Sequence, residues 1–104
     1  MQSFGAYTSR TNGSAVVSVR GDVDVYTAPY LWETINAAMA ETPHELVVDL
    51  TGAPFVDSSG LSVLVRAQRR LRPVEGTLVV RGANKRVSMT LQLTKLNTVL
   101  TVER

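Results

Sequence analysis

The chain has 104 residues, 44% of them hydrophobic, a formal charge of +2 and no cysteine. Residues 1-104 are therefore expected to form a single domain with a packed core, without disulfides, thiolate metal sites or a cysteine nucleophile, and the small charge does not demand a nucleic-acid partner. No apolar run approaches the roughly 20 residues of a membrane span, and Met1-Gln2-Ser3-Phe4-Gly5 lacks the basic start and apolar run of a signal peptide, so no membrane insertion and a cytoplasmic location are expected.

Residues 3–9 and 14–20 flank Thr11-Asn12-Gly13 and read as a hairpin, because Asn-Gly accepts the positive φ of a tight turn. Ala15-Val16-Val17-Ser18-Val19 is β-branched and short, as in a strand. A loop, Gly21-Asp22-Val23-Asp24, leads to Thr27-Ala28-Pro29, where Thr is a good cap and Pro suits a first helical turn. Leu31, Ile35, Ala38 and Met39 recur at helical spacing, and Trp32 lies at the margin of that stripe, in a packing role. Thr42-Pro43 ends the helix.

Leu46-Val47-Val48-Asp49-Leu50 is nearly all apolar, the pattern of a strand covered on both faces. After a loop, Asp57-Ser58-Ser59-Gly60 opens a second helix with Leu61, Leu64, Val65 and Leu71 inward. Arg66, Arg69, Arg70 and Arg72 lie on its solvated side, and Pro73 stops it. Thr77 to Arg81 is a further strand, Asn84 caps a third helix with Val87 and Leu91 inward, and Thr98 to Val102 is a last strand. The order ββαβαβαβ implies an α/β fold whose parallel strands are joined by right-handed crossovers.

One helix connects the second and third strands, so the loops that follow them, 21–24 and 57–60, fall at the same carboxyl edge of the sheet. Asp24 and Asp57 are then expected to face one patch. Ser59 stands at a helix start, where backbone N–H groups lack internal partners and the dipole favours an anion. A phosphate on Ser59 is expected to accept hydrogen bonds from those N–H groups. Gly60 leaves an approaching kinase unobstructed and lets backbone come close. Read from the tetrapeptide alone, capping by Asp57 or Ser58 is the simpler account, and it leaves Ser59 available.

Asp57-Ser58-Ser59-Gly60-Leu61, preceded by Phe55-Val56 and followed by Val63-Leu64, resembles the signature of STAS-domain anti-sigma factor antagonists. Gly21-Asp22-Val23-Asp24 with Thr27-Ala28-Pro29 resembles that family's first block, usually Gly-Glu-Leu-Asp with a following Ala-Pro. The likeness runs from about Ser3 to Val102. It implies a mixed sheet of about five strands with helices on one face. It also implies a switch: the unphosphorylated protein binds an anti-sigma factor that is a serine kinase and frees a sigma factor, phosphorylation of Ser59 ends the binding, and a serine phosphatase resets it. Asp24, Asp57, Ser58, Ser59, Gly60 and Leu61 are the residues it assigns to the partner surface. Where the family often has Thr-Gly-Leu after the third helix, this chain has Thr94-Lys95-Leu96, so a strained or differently shaped turn is expected there.

Rival classes have less to stand on. A serine hydrolase needs a base beside its nucleophile, and the single histidine, His44, is expected at the edge opposite Ser59, with no Gly-x-Ser-x-Gly elbow; no catalytic residue is assigned. Asp22, Asp24 and Asp57 lack calcium-ligand spacing, and no phosphate-cradling glycine run is present, so neither metal nor cofactor is expected. The arginines, with Lys85 and Arg86, read as solvated helix faces and not as a nucleic-acid surface. The alternative within the same family is a STAS scaffold, or a regulatory subunit of a signalling complex or membrane transporter.

Overall fold

The apolar runs become strands and the periodic stripes become helices. A computed structural model, which describes residues 3–41 and 43–103, contains β1 (Gly5–Thr11), β2 (Ser14–Arg20), α1 (Ala28–Met39), β3 (Glu45–Gly52), α2 (Ser58–Leu71), β4 (Thr77–Arg81), α3 (Lys85–Leu93) and β5 (Thr101–Val102). The strands lie in the order β1-β2-β3-β4-β5. β1 is antiparallel to β2 and the other neighbours are parallel. Gly13 closes the hairpin at φ 74°, the left-handed conformation that the Asn-Gly pair supplies.

Each crossover steps to the next strand in one direction. Right-handed connections of that kind place α1, α2 and α3 on one face of the sheet. Leu46, Val48 and Leu50 of β3 point into that side and pack with Val17, Leu78 and Val80, with Leu31 and Ile35 of α1, Leu64 of α2, and Val87 and Leu91 of α3. The helices thus cover one face of β3, as the fold implied, and its apolar run extends to the other face as well. Val47 faces the other side, yet is only 1% exposed. It sits in the middle of a row, Val16–Val47–Val79, across three neighbouring strands, with a valine on either side.

α1 ends at Met39 with Ala40 as its cap; of the expected stop, Thr42-Pro43, Thr42 lies outside the described residues. Pro73 does not end the helical path after α2. It sits inside a 3-10 turn, Arg72–Val74, and left-handed Glu75 (φ 58°) ends it. Asn84 caps α3 as its sequence position suggests, accepting a hydrogen bond from the Val87 N–H at 2.8 Å.

The last strand is shorter than expected. Leu96–Thr98 forms a 3-10 turn and only Thr101–Val102 pairs with β4. The cause is local. Lys95 takes φ 60° and reverses the chain, and the Thr98 hydroxyl donates to the Lys95 carbonyl at 2.6 Å, so β-branched residues are held in a turn. The left-handed position that a glycine would occupy is thus kept, with a lysine in it. No helix among the described residues is long and apolar enough to cross a membrane.

Candidate functional site

The ends of β2 and β3 are joined beyond the regular ladder. Gly21 N–H donates to Gly52 O at 2.9 Å, Val23 N–H to Phe55 O at 2.9 Å, and Asp57 N–H to Val23 O at 3.0 Å. Val23 and Val56 form an isolated parallel bridge, and both are buried, at 0% and 5% exposure. The two acidic loops are therefore one stitched surface, with Asp24 and Asp57 each directly following a bridge valine. The signal was present in the sequence: the dipeptide Val-Asp occurs in both loops.

Asp57 is the cap of α2. One carboxylate oxygen accepts from the Ser59 N–H at 2.8 Å and from the Gly60 N–H at 3.3 Å. This changes the expected electrostatics of Ser59. The two amides foreseen as phosphate partners are already satisfied by Asp57, so a phosphate on Ser59 stands beside a carboxylate in place of a free amide cradle.

Asp24 braces the turn that leads into α1. Its carboxylate accepts from the Tyr26 N–H at 2.9 Å and the Thr27 N–H at 3.0 Å. Thr27 occupies the cap position, but its hydroxyl makes no cap bond to the helix. It accepts from the Asp24 N–H at 2.9 Å and donates to the Asp22 carbonyl at 2.8 Å, bracing the loop. Asp24 is half-buried by this network.

Ser58 is exposed and Ser59 half-buried at the surface of the first turn of α2. Among the described residues the Ser59 hydroxyl makes no hydrogen bond to a protein group, while its N–H is fixed by Asp57. Gly60 is corrected from a partner contact to a support, and Leu61 is mostly buried, with its remaining edge on the outer side of α2. Gly60 is buried, and a Cβ there would lie 2.6 Å from a Val23 methyl and 2.7 Å from a Val56 methyl. The close approach expected of this glycine is real, but it faces inward, toward the bridge, and not toward a kinase. Leu61 is 5% exposed and belongs to the core.

His44 lies at the other edge of the sheet, its N–H donating to the Gly13 carbonyl of the hairpin turn at 2.8 Å. The site thus holds, among the described residues, an unbonded hydroxyl beside an acid-capped helix start and an acid-braced loop, with no imidazole at hand. What composition did not reveal is a contact behind it. Arg66 of α2 stacks over the Trp32 ring of α1 with its guanidinium carbon 3.9 Å from the ring centre, Arg70 stands at 5.7 Å, and Arg70 also donates to Asn36 Oδ1 at 2.7 Å. The i,i+4 spacing of Arg66 and Arg70 was the available signal; these two are not purely solvated.

Comparison with known proteins places this geometry. The family model described as "Mlab, STAS domain" matches residues 7–102. An anti-sigma-F factor antagonist, RsfB, of Mycobacterium tuberculosis is 37% identical over 73 residues, 69% of this chain; the match spans 60% of that relative's length. An anti-sigma-B factor antagonist of Listeria monocytogenes is 31% identical over 87 residues, covering 84% of this chain and 76% of the relative. The crystal structure of an anti-sigma factor antagonist from Mycobacterium paratuberculosis superposes with a TM-score of 0.82 at 34% identity, over 96% of this chain and 85% of that one. The family-model match over residues 7–102 and the relatives at 31–37% identity show that the chain belongs to the STAS-domain family of anti-sigma factor antagonists.

Proposed function

We propose that this chain is itself an anti-sigma factor antagonist, switched by phosphorylation of Ser59. Unphosphorylated, it binds a serine kinase that is also an anti-sigma factor, and so releases a sigma factor; a serine phosphatase restores the binding form. The observation that carries the reading is the Ser59 hydroxyl, free of protein partners at the start of α2, on a surface formed by two loops joined through Val23 and Val56. The antagonist names of the relatives at 31% and 37% identity support the partner class.

The switch is electrostatic in this reading. Phosphorylation adds about −1.5 to −2 charges. With the Ser59 and Gly60 amides held by Asp57, the new dianion gains little from them and adds to the negative charge of Asp57. Weakening a partner a hundredfold takes only about 3 kcal/mol, within reach of repulsion and desolvation at a docked surface. No refolding is required.

The test compares wild type, Ser59→Ala and Ser59→Asp for binding to the cognate kinase, with mass spectrometry after incubation with kinase and ATP. Ser59→Ala is expected to bind like wild type and to resist modification, and Ser59→Asp to lose binding. Equal binding by both variants, or phosphate found elsewhere than Ser59, would refute the proposal.

A further inference from the structure

On the outer side of α2 a groove of about 470 Å³ runs from Ser58 to the turn after α3. Leu61, Val65 and Leu96 give it an apolar lining, and the charged side chains that line it, Arg66 and Arg69, are both cationic. Their three-residue spacing puts them on one helix face. The ion pairs among the described residues are Arg10–Glu41 and Arg81–Glu103, so among those residues neither groove arginine is matched by a carboxylate. Arg66 rests on the Trp32 ring instead.

An apolar channel whose rim carries hydroxyls and two guanidiniums but no carboxylate is complementary to an apolar segment flanked by carboxylates. Through Ser58 it is continuous with the surface that carries Ser59. We infer that this groove is the second half of the docking surface and takes an amphipathic, acidic segment of the partner. This rests on the partner-switch reading and extends it. An acidic occupant also gives the switch its sign, because a dianion on Ser59 stands at the groove's Ser58 end and repels the carboxylates it must admit.

Docking has a built-in reporter. A carboxylate offers Arg66 a charge-assisted, bidentate bond that is stronger than its contact with an aromatic face. Arg66 then leaves Trp32, the single tryptophan of the chain, and the emission of that indole changes.

The experiment titrates the intact protein with a synthetic helical peptide carrying leucines at i, i+3, i+4 and i+7 flanked by glutamates. Controls are the same peptide with every glutamate replaced by lysine, and a deoxythymidine oligonucleotide. The glutamate peptide is expected to give a saturable change in Trp32 fluorescence and to shift the methyl resonances of Leu61, Val65 and Leu96. The Arg66→Glu/Arg69→Glu double variant, shown to be folded by circular dichroism, is expected to bind at least tenfold more weakly, as is wild type at high salt. Because that variant also removes the Arg66–Trp32 contact, its affinity is read from the methyl shifts. Binding of the lysine peptide with equal affinity, no binding of the glutamate peptide, or tighter binding of the oligonucleotide would each overturn the inference. The titration contains neither kinase nor ATP, so its failure leaves the Ser59 test standing, and failure of that test leaves the groove's occupancy to be read independently.

Discussion

The start of α2 and the turn after α3 are built on opposite terms. At the first, a single carboxylate holds two amides, a backbone bridge holds the loop, and Gly60 is wedged against two buried valines. At the second, a lysine occupies a left-handed conformation and the strand that follows pairs through only two residues. The first is fixed by several contacts that agree; the second tolerates a residue that disfavours it. A residue modified at the first can alter what docks there without loosening the fold, because its own hydroxyl bears none of the load.

Four measurements sharpen or break this contrast. Gly60→Ala should be the most damaging, since its Cβ falls within 2.7 Å of two valine methyls. Overpacking of that kind costs roughly 2–3 kcal/mol, even after the better helix propensity of Ala, read as a lower midpoint in chemical denaturation. A loss below about 0.5 kcal/mol, an ordinary surface effect, would mean that the bridge yields. Asp57→Ala should cost about 1 kcal/mol, the usual worth of a cap, while Asp57→Asn keeps most of the stability. If both are equally destabilised, charge and not capping holds the turn.

Lys95→Gly should act in the other direction. Relieving one left-handed non-glycine residue is worth about 1 kcal/mol, offset by a few tenths for the freer unfolded chain, and the net gain should raise the thermal midpoint. The smallest effect concerns Asp49, whose carboxyl is held below its usual pKa chiefly by the Thr51 hydroxyl, helped by the Thr51 N–H and Arg81 and opposed by partial burial. A lowered folded-state pKa contributes stability above the unfolded carboxyl's value of about 4, and that contribution is lost as pH falls through the folded value. Thr51→Val should therefore lower the neutral plateau slightly and flatten the acid limb of the stability–pH profile, the two proteins converging below the folded value.

The order of elements, the parallel sheet and the edge that carries the acidic loops were legible because each rests on local signals: Asn12-Gly13, the stripe Leu31–Ile35–Ala38, the cap at Asn84. Ser59 was legible as a position at a helix start. What the sequence concealed were choices between chemically similar partners. Asp24 and Thr27 are both good caps, yet neither side chain caps α1, and only the path of the chain decides that they brace the preceding loop instead. Thr98-Val99-Leu100 has strand residues, but their pairing partner was lost to a turn set by Lys95. The inward role of Gly60 needed the position of Val23, far from it in sequence and brought beside Val56 by the crossover.

The sequential arrangement of strands has a consequence for assembly. Every strand pairs with the one made just before it, so none must be inserted between two already joined. As the chain leaves the ribosome, the β1–β2 hairpin can form first, and each later strand–helix unit adds to the one open edge with a modest loop closure. The surface around Ser59 is then complete once α2 has docked, before β4, α3 and β5 are laid down.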